Sequence, residues 1–238
     1  MSDPVPFNPL DKQNLGASVA EALLGRKPHP LANLPMFHGA GIYALYYGGD
    51  FAPYLSLSLR NRESDGNPIA PIYVGKAVPA GGRKGGALDQ TSKTKALWNR
   101  LNEHAESIAA ASNLRIEDFQ CRFLVVDDIW IPLGESLLIA KFTPIWNALI
   151  DGFGNHDPGK GRYNGMQPKW DVLHPGRAWA LKCQPRPESA EQIAREAKDH
   201  LESILPPRSP HFLVEEARGR YRVHAGSGAG QQDKASEE

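Results

Sequence analysis

The stretch GIYALYYGG, residues 41–49, places three tyrosines among aliphatic residues and ends on two glycines. Aromatic and branched side chains bounded by glycine are typical of a strand buried in a sheet. The segment PIYVGKA, residues 71–77, repeats the order of tyrosine, aliphatic residue and glycine. We therefore predict two strands, at about 41–47 and 70–75. Tyrosine is an ordinary residue in such strands, so a chemical role for any of these phenols needs support from elsewhere in the chain.

The composition is that of a globular protein, because 41% of the 238 residues are apolar and 8% are aromatic. This length suits one domain with extensions. The N-terminal MSDPVPFNPL lacks the basic and apolar segments of a secretory signal, and no apolar run is long enough to span a membrane. The two cysteines, Cys121 and Cys183, are too few for a disulfide framework and lack metal-site spacing. We expect a cytoplasmic protein without a membrane partner, with Cys121 in its core.

Basic residues are concentrated in two tracts, although Lys plus Arg and Asp plus Glu both total 27 and cancel. Residues 76–104 contain six lysines and arginines against two acidic residues, and residues 160–186 contain six against one. Such tracts suit a polyanionic partner, and they equally occur as solvated surface. Charge alone leaves both interpretations open.

The remaining patterns predict helices alternating with strands. Helical spacing of apolar residues indicates helices at about 11–26, 93–112, 132–142 and 188–204. Strand-like alternation occurs in YLSLSL (54–59), FQCRFLVV (119–126) and about 212–223. The segment between Asn147 and Trp170 is rich in loop residues, and GSGAGQQDKASEE at the C-terminus is typical of a disordered tail.

Polar residues occur on the core side of two of these helices. Arg100 and His104 are four residues apart and lie on one face, beside the apolar stripe of their helix. Glu135 shares a stripe with Leu138 and Phe142, where a carboxylate costs several kcal/mol, in rough terms, unless it is paired or binds a cation. The alternatives are an exposed Arg–His pair and a first-turn glutamate that complements the helix dipole.

Two further segments carry alternatives of their own. Asn147 follows FTPIW, where an amide commonly satisfies loop backbone groups. GNHDPGKG, residues 154–161, nearly matches the phosphate-binding loop G-x-x-x-x-G-K-[ST], but Gly161 has no hydroxyl for a magnesium ion and no strand leads into the segment. We therefore reject a nucleotide-binding loop.

The ordered set of GIY at 41–43, YVG at 73–75, Arg100 with His104, Glu135 and Asn147 resembles the GIY-YIG nuclease superfamily. The chain is most similar to its type II restriction endonuclease branch, given the long insert, the GKA after YVG and the segment GFGNHDPG. It differs from most relatives in the thirty residues that separate Tyr43 from Tyr73 and in reading YVG.

The resemblance implies an α+β fold with a small antiparallel three-stranded sheet flanked by helices. The catalytic core would span residues 38–150, with a long insert at about 48–69 between its first two strands. Residues 1–37 would form an N-terminal arm and helix, residues 151–225 a DNA-binding or dimerisation extension, and residues 226–238 a disordered tail.

The resemblance also implies catalytic roles. Glu135 would be the metal ligand that holds one divalent cation, Mg²⁺, which prefers oxygen ligands. Arg100 would grip the scissile phosphate through paired hydrogen bonds. Tyr73 would donate to or orient that phosphate, and Asn147 would brace the loops of the site.

The general base is left open between two residues. Tyr43 would activate the attacking water, but a phenol with a pKa of about 10 is mostly protonated at neutral pH. Nearby positive charge favours phenolate, and otherwise His104 is the better base while Tyr43 only orients the water. By the same resemblance, Tyr46 and Tyr47 would be structural.

Double-stranded DNA is the expected partner of such an enzyme. The expected phosphate contacts come from the first basic tract and are Lys76, Arg83, Lys84, Lys93 and Lys95. The residues expected to read bases lie in the two inserted segments and are Asn155, His156 and Arg162 together with Arg60, Asn61 and Arg62. A two-fold homodimer would match a palindromic site.

The resemblance thus favours a magnesium-dependent restriction endonuclease of the bacterial cytoplasm that makes site-specific double-strand cuts. One alternative is another GIY-YIG role, namely a repair or mobile-element nicking enzyme. The other is a non-cleaving DNA-binding protein on a nuclease fold.

Overall fold

The computed structural model describes residues 8, 10–79 and 93–205. The predictions for Arg83, Lys84, the strand at 212–223 and the tail at 226–238 lie outside these residues. The helices are α1 (Lys12–Leu24), α2 (Leu55–Arg62), α3 (Ala96–Ala110), α4 (Ile131–Phe142), α5 (Ile145–Ala148), α6 (Lys169–Leu173) and α7 (Ala190–Ile204). The strands are β1 (His29–Pro30), β2 (Gly41–Tyr47), β3 (Pro71–Ala77) and β4 (Phe119–Val125).

The sheet is antiparallel, with the strand order β1-β4-β2-β3. The three strands predicted around GIY, YVG and FQCRFLVV are confirmed, and β2 pairs with both β3 and β4. A fourth strand, β1, for which the sequence patterns predicted no strand, adds two residues to the outer edge of β4. The opposite edge of the sheet is β3, the strand that carries YVG.

Strand β2 is buried along its whole length because helices cover both faces of the sheet. One face packs against α3, α5, α6 and α7, in the cluster that contains Tyr43 and Tyr47. The other face packs against α1 and α4, in the cluster that contains Tyr46. Tyr43 and Tyr46 therefore point to opposite sides of the sheet, as expected for a strand with a side-chain period of two.

The prediction of a strand at YLSLSL is wrong, because Leu55–Arg62 form helix α2. The residues buried around this helix are Tyr54, Leu57, Ser58 and Asn61, which follow a helical period rather than an alternating one. Leu55 and Leu59 are largely exposed, while the Ser58 hydroxyl donates to the carbonyl of Gly49. A buried, hydrogen-bonded serine is what made the pattern misleading.

The prediction that Asn61 reads bases is also wrong. Its side chain is 5% exposed, and its amide nitrogen donates to the carbonyls of Tyr47 and Ala70. Its amide oxygen accepts from the backbone N–H groups of Ile69 and Ala70. Asn61 therefore joins α2 to the segments on either side of it and has no bonding groups left for DNA.

The core continues past residue 150 without a break. Trp170, Leu173, Ile193 and Leu201 belong to the same buried cluster as Tyr43. The segment after the sheet is thus packed onto the face of the sheet that carries the GIY tyrosine.

A chain of buried hydrogen bonds ties these segments together. Trp146 Nε1 donates to the Tyr54 hydroxyl over 2.9 Å, and Tyr54 donates to His174 Nε2 over 2.7 Å. His174 Nδ1 then donates to the Asn113 side-chain oxygen over 2.9 Å, and Asn113 donates to the carbonyl of Leu173. Burial lowers the pKa of His174 to about 3, so its ring is neutral and can accept at one nitrogen while donating at the other.

We expect Tyr54→Phe to destabilise the protein by about 2 kcal/mol or more, because it leaves Trp146 Nε1 and His174 Nε2 buried without partners. Chemical denaturation monitored by tryptophan fluorescence measures the change. Tyr163→Phe is the matched control, since that hydroxyl donates only to the surface carboxylate of Asp157, and its unfolding midpoint should not move. Equal stability of Tyr54→Phe and the parent protein would contradict this account.

Candidate active site

Tyr43 lies against β3 at a glycine. In the register of the sheet Tyr43 is opposite Gly75, the glycine of YVG. A Cβ atom at position 75 would lie 2.4 Å from the Tyr43 hydroxyl and 3.0 Å from the Tyr73 ring. The missing side chain therefore makes room for the Tyr43 phenol between the strand and helix α3.

The Tyr43 hydroxyl lies 2.6 Å from His104 Nε2, and both side chains are buried. The His104 ring stacks on Phe153 at 4.5 Å and meets the Tyr73 ring edge-on at 5.3 Å. Burial lowers the pKa of His104 well below its usual value, and the positive charge of Arg100 lowers it further. The ring is therefore neutral, and Nε2 accepts the hydrogen bond from the phenol.

The same burial raises the pKa of Tyr43 well above 10, with a further increase from Tyr73. Arg100 acts in the opposite direction but does not offset the loss of hydration. In the free protein the proton consequently stays on Tyr43, and His104 is available to take it.

Arg100 has hydrogen-bond acceptors on its own helix and in the loop after α5. Its Nη1 donates to Glu103 Oε2 over 3.0 Å and lies 2.5 Å from His156 Nε2, while its Nη2 donates to the carbonyl of Gly154 over 2.7 Å. The guanidinium also lies beside the phenols of Tyr43 and Tyr73 and favours their ionised forms. The structure thus brings Arg100, both phenols and His104 together.

Glu135 reaches the same region from the other side of β3. Its Oε2 lies 2.6 Å from Lys76 Nζ, and its side chain is 19% exposed. Burial raises the pKa of Tyr73, the positive charge of Arg100 lowers it, and the negative charge of Glu135 raises it further. Tyr73 therefore lies within electrostatic range of both Glu135 and Arg100. The half-buried carboxylate therefore has the cationic partner that its position on the helix requires.

The Glu135 carboxylate suits a hard cation that is held by few protein ligands. In the part of the chain that the structure describes, no three histidine, cysteine or acidic side chains cluster as a metal site. Mg²⁺ commonly binds one or two carboxylates and takes its other ligands from water and substrate phosphate. Glu135, half-buried beside the phenol of Tyr73, fits that kind of site.

Asn147 is bound to the free edge of β3. Its side-chain oxygen accepts from the backbone N–H of Val74 over 2.8 Å, and its side-chain nitrogen donates to the Val74 carbonyl over 2.8 Å. This amide fixes the backbone between Tyr73 and Gly75, so it holds the strand that carries the second tyrosine.

Arg177 belongs to the second basic tract in the sequence, but in the structure it is buried and binds several groups. It forms a double hydrogen bond with the carboxylate of Asp171 at 2.7 and 2.6 Å, and both side chains are buried. It also donates to the carbonyls of Gly152, Phe153 and Asn155. The guanidinium lies over two tryptophan rings, those of Trp170 and Trp179. Arg177 thereby fixes the loop that contacts Arg100. In the sequence, the signal that could have indicated this role is the pair of tryptophans, Trp170 and Trp179, on either side of Arg177.

The expected DNA contacts are distributed unevenly. His156 contacts Arg100 and so joins the group of Arg100, Tyr43, Tyr73 and His104, called here the Arg100 cluster. Lys76 is paired with Glu135. Asn155 and Arg162 are exposed and line a recess of about 450 Å³ beside His156. Lys93 and Lys95 are exposed just before α3. On α2, Arg62 donates to the Gly48 carbonyl and pairs with Asp50, and Arg60 lines a separate recess with α7, so neither belongs to the Arg100 cluster.

This fold and this arrangement of two tyrosines, an arginine, a histidine and a glutamate around YVG define a GIY-YIG nuclease. The family model described as the Eco29kI GIY-YIG domain matches residues 35–201, and the chain belongs to that type II restriction endonuclease family. No individually curated protein matches the chain at a significant level. Among the described residues, no helix has both the length and the apolar character needed to cross a membrane.

We expect Arg177→Met to cost about 3 to 5 kcal/mol of stability, because it leaves the Asp171 carboxylate buried without its partner. Unfolding by urea measures the loss. Lys198→Met is the matched control, since it removes an exposed pair with Glu202 and should have little effect. The double variant Arg177→Met/Asp171→Leu should recover part of the loss, and failure to recover any would argue against the buried charge as its cause.

Proposed function

We propose that the protein is a magnesium-dependent, site-specific endonuclease that makes double-strand cuts in DNA. The observation that carries this proposal is the convergence on Tyr73 of a fixed cation, Arg100, and a half-buried carboxylate, Glu135. A phosphodiester at this point would meet a bidentate donor on one side and a metal-binding oxygen on the other.

Arg100 is the residue that would hold the scissile phosphate. Its planar guanidinium can donate two parallel hydrogen bonds to phosphate oxygens, and these strengthen as charge develops in the transition state. The Tyr73 hydroxyl lies beside it and would donate to the same phosphate. Because Nη1 and Nη2 already have protein acceptors, the phosphate would replace some of them.

Glu135 would be the protein ligand of the divalent cation, and a bound Mg²⁺ supplies positive charge to the phosphate and to the leaving oxygen. In the free protein Lys76 neutralises this carboxylate at 2.6 Å. The pair holds this carboxylate within electrostatic range of Tyr73.

Tyr43 and His104 would act as a pair in activating water. As the Tyr43 oxygen takes a proton from the attacking water, its own proton moves over the 2.6 Å hydrogen bond to His104 Nε2. The buried phenol then never carries a full negative charge, which its raised pKa would make costly. A neutral His104 is the form that this transfer needs.

Double-strand cleavage would need two copies of this site, because one site cuts one strand. We propose a two-fold homodimer bound to double-stranded DNA, with the exposed Lys93 and Lys95 contacting phosphates and Asn155 and Arg162 near base edges. Sedimentation of the protein with a cleaved duplex tests this assembly, and a monomer on that duplex would contradict it.

Glu135→Gln should lower the cleavage rate of plasmid DNA by roughly a thousandfold, as expected for the loss of a metal ligand worth several kcal/mol in the transition state. The assay compares digests with Mg²⁺ and with a chelator. Glu106→Gln, at an exposed position on α3, is the matched control and should cut normally.

Discrete linear fragments that depend on Mg²⁺ and Glu135 would support a restriction endonuclease. Nicked circles alone would favour a repair or mobile-element enzyme. Binding of the plasmid without any cleavage, by a folded wild-type protein supplied with Mg²⁺, would overturn the proposed activity in favour of a DNA-binding protein.

Tyr43→Phe and His104→Gln should each lower the single-turnover rate by about a hundredfold or more, because each interrupts the same proton transfer. The glutamine can still accept the hydrogen bond from Tyr43 but cannot take up its proton. The double variant should be no slower than the worse single variant, since residues that act as a unit are not additive. Tyr46→Phe, on the other face of the sheet, is the control. Multiplying effects in the double variant would show that the two residues act independently.

A further inference from the structure

The loop at residues 154–156 reaches into the active site through His156. His156 Nε2 lies 2.5 Å from Arg100 Nη1. Glu103 Oε2 lies 3.0 Å from Arg100 Nη1 and 3.5 Å from His156 Nε2. The backbone of the same loop contributes the Gly154 carbonyl to Arg100 Nη2. A Cβ atom at Gly154 would come within 3.0 Å of Nη2 and 2.9 Å of the Tyr73 hydroxyl, so the loop fits closely around the cluster.

The direction of the hydrogen bond fixes the state of His156. A guanidinium only donates, so a ring nitrogen at 2.5 Å must be an acceptor and carry no proton. His156 is therefore neutral here, with its proton on Nδ1. Together with Glu103, its Nε2 occupies the donors of Arg100 that a phosphate oxygen would use.

Of Glu103, Gly154 and His156, only the imidazole of His156 can change from acceptor to donor by gaining a proton within the ordinary pH range. The carbonyl of Gly154 cannot donate, and the Glu103 carboxylate repels phosphate. An imidazole that gains a proton at Nε2 can no longer accept from Arg100, but it can donate a charge-assisted hydrogen bond to a phosphate oxygen.

We propose that His156 is a phosphate-binding residue of the active site that takes up a proton as DNA enters. The inference rests on the proposed nuclease function. The incoming phosphate displaces His156 from Arg100 Nη1, a proton from solvent binds Nε2, and the new N–H donates to the phosphate. Nothing else changes protonation in this step.

The surrounding charges explain why the proton arrives with the substrate. On α3, Arg100 opposes a positive His156, Glu103 favours it, and His104 is neutral. On the loop that carries His156, Asp157 is the next residue, and the buried Arg177 binds the carbonyl of Asn155. A phosphate between Arg100 and His156 adds negative charge next to the ring and so favours the imidazolium.

His156 is placed to meet both solvent and DNA. Its side chain is 63% exposed, whereas the loop that carries it is fixed from behind by Arg177 and Asp171. Replacing it therefore should not disturb folding. From the sequence His156 is expected to read bases, whereas its contact with Arg100 assigns it to the phosphate.

The test measures binding of a short duplex that contains a site mapped from the plasmid digest. The protein carries Glu135→Gln so that the DNA stays intact, and affinity is followed by fluorescence anisotropy from about pH 6 to about pH 8, where an ordinary histidine titrates. Affinity should rise as pH falls, by up to about tenfold per pH unit for one proton taken up with the DNA. Adding His156→Gln should remove most of this slope, because glutamine does not titrate.

His38→Gln, at an exposed histidine just before β2, is the matched control and should keep the slope. With Glu135 intact, His156→Gln should also slow single-turnover cleavage by about tenfold or more, the effect expected for a lost hydrogen bond to a charged group. A wild-type protein that cuts no DNA would overturn both the nuclease function and this role. Normal cleavage by the wild type, together with an unchanged slope in His156→Gln, would overturn the role of His156 alone.

Discussion

The hydrogen bond between Tyr43 and His104 depends on the absence of water around it. Burial pushes the two pKa values apart, upward for the phenol and downward for the imidazole. This holds the proton on oxygen and leaves a ring nitrogen ready to receive it. The sheet, the glycine opposite Tyr43 and the aromatic rings of Phe153 and Tyr73 all serve to keep this pair dry. A more hydrated site would bring the two pKa values back toward their ordinary, smaller separation.

The segment after the sheet is part of the active site rather than an appendage to it. Arg177 binds three carbonyls of the loop at residues 152–155, and that loop supplies a carbonyl and an imidazole to Arg100. The buried chain from Trp146 through Tyr54 to His174 connects the insert before β3 with the end of α6. Polar contacts therefore join elements that are far apart in the sequence.

The sequence was sufficient for the sheet and for the residues gathered around Tyr73. Strands with branched and aromatic residues are local patterns, and helical spacing correctly set Arg100 and His104 on one face. The sequence patterns were misleading where tertiary packing determines whether a polar side chain is buried. Alternating leucine and serine in α2 looked like a strand because a buried hydrogen-bonded serine cannot be told from an exposed one. Asn61 looked like a surface polar residue because its partners are backbone carbonyls and N–H groups, which no residue type reveals.

Strand β3 lies at the edge of the sheet, and one amide covers its middle. Asn147 gives and accepts one hydrogen bond at Val74, as a residue of a neighbouring strand would. Exposed strand edges recruit other chains by extending the sheet, and natural proteins block them. Here the blocking group sits between the second tyrosine and its glycine. The side chain that fixes the strand carrying Tyr73 thus also covers the edge along which another chain could extend the sheet.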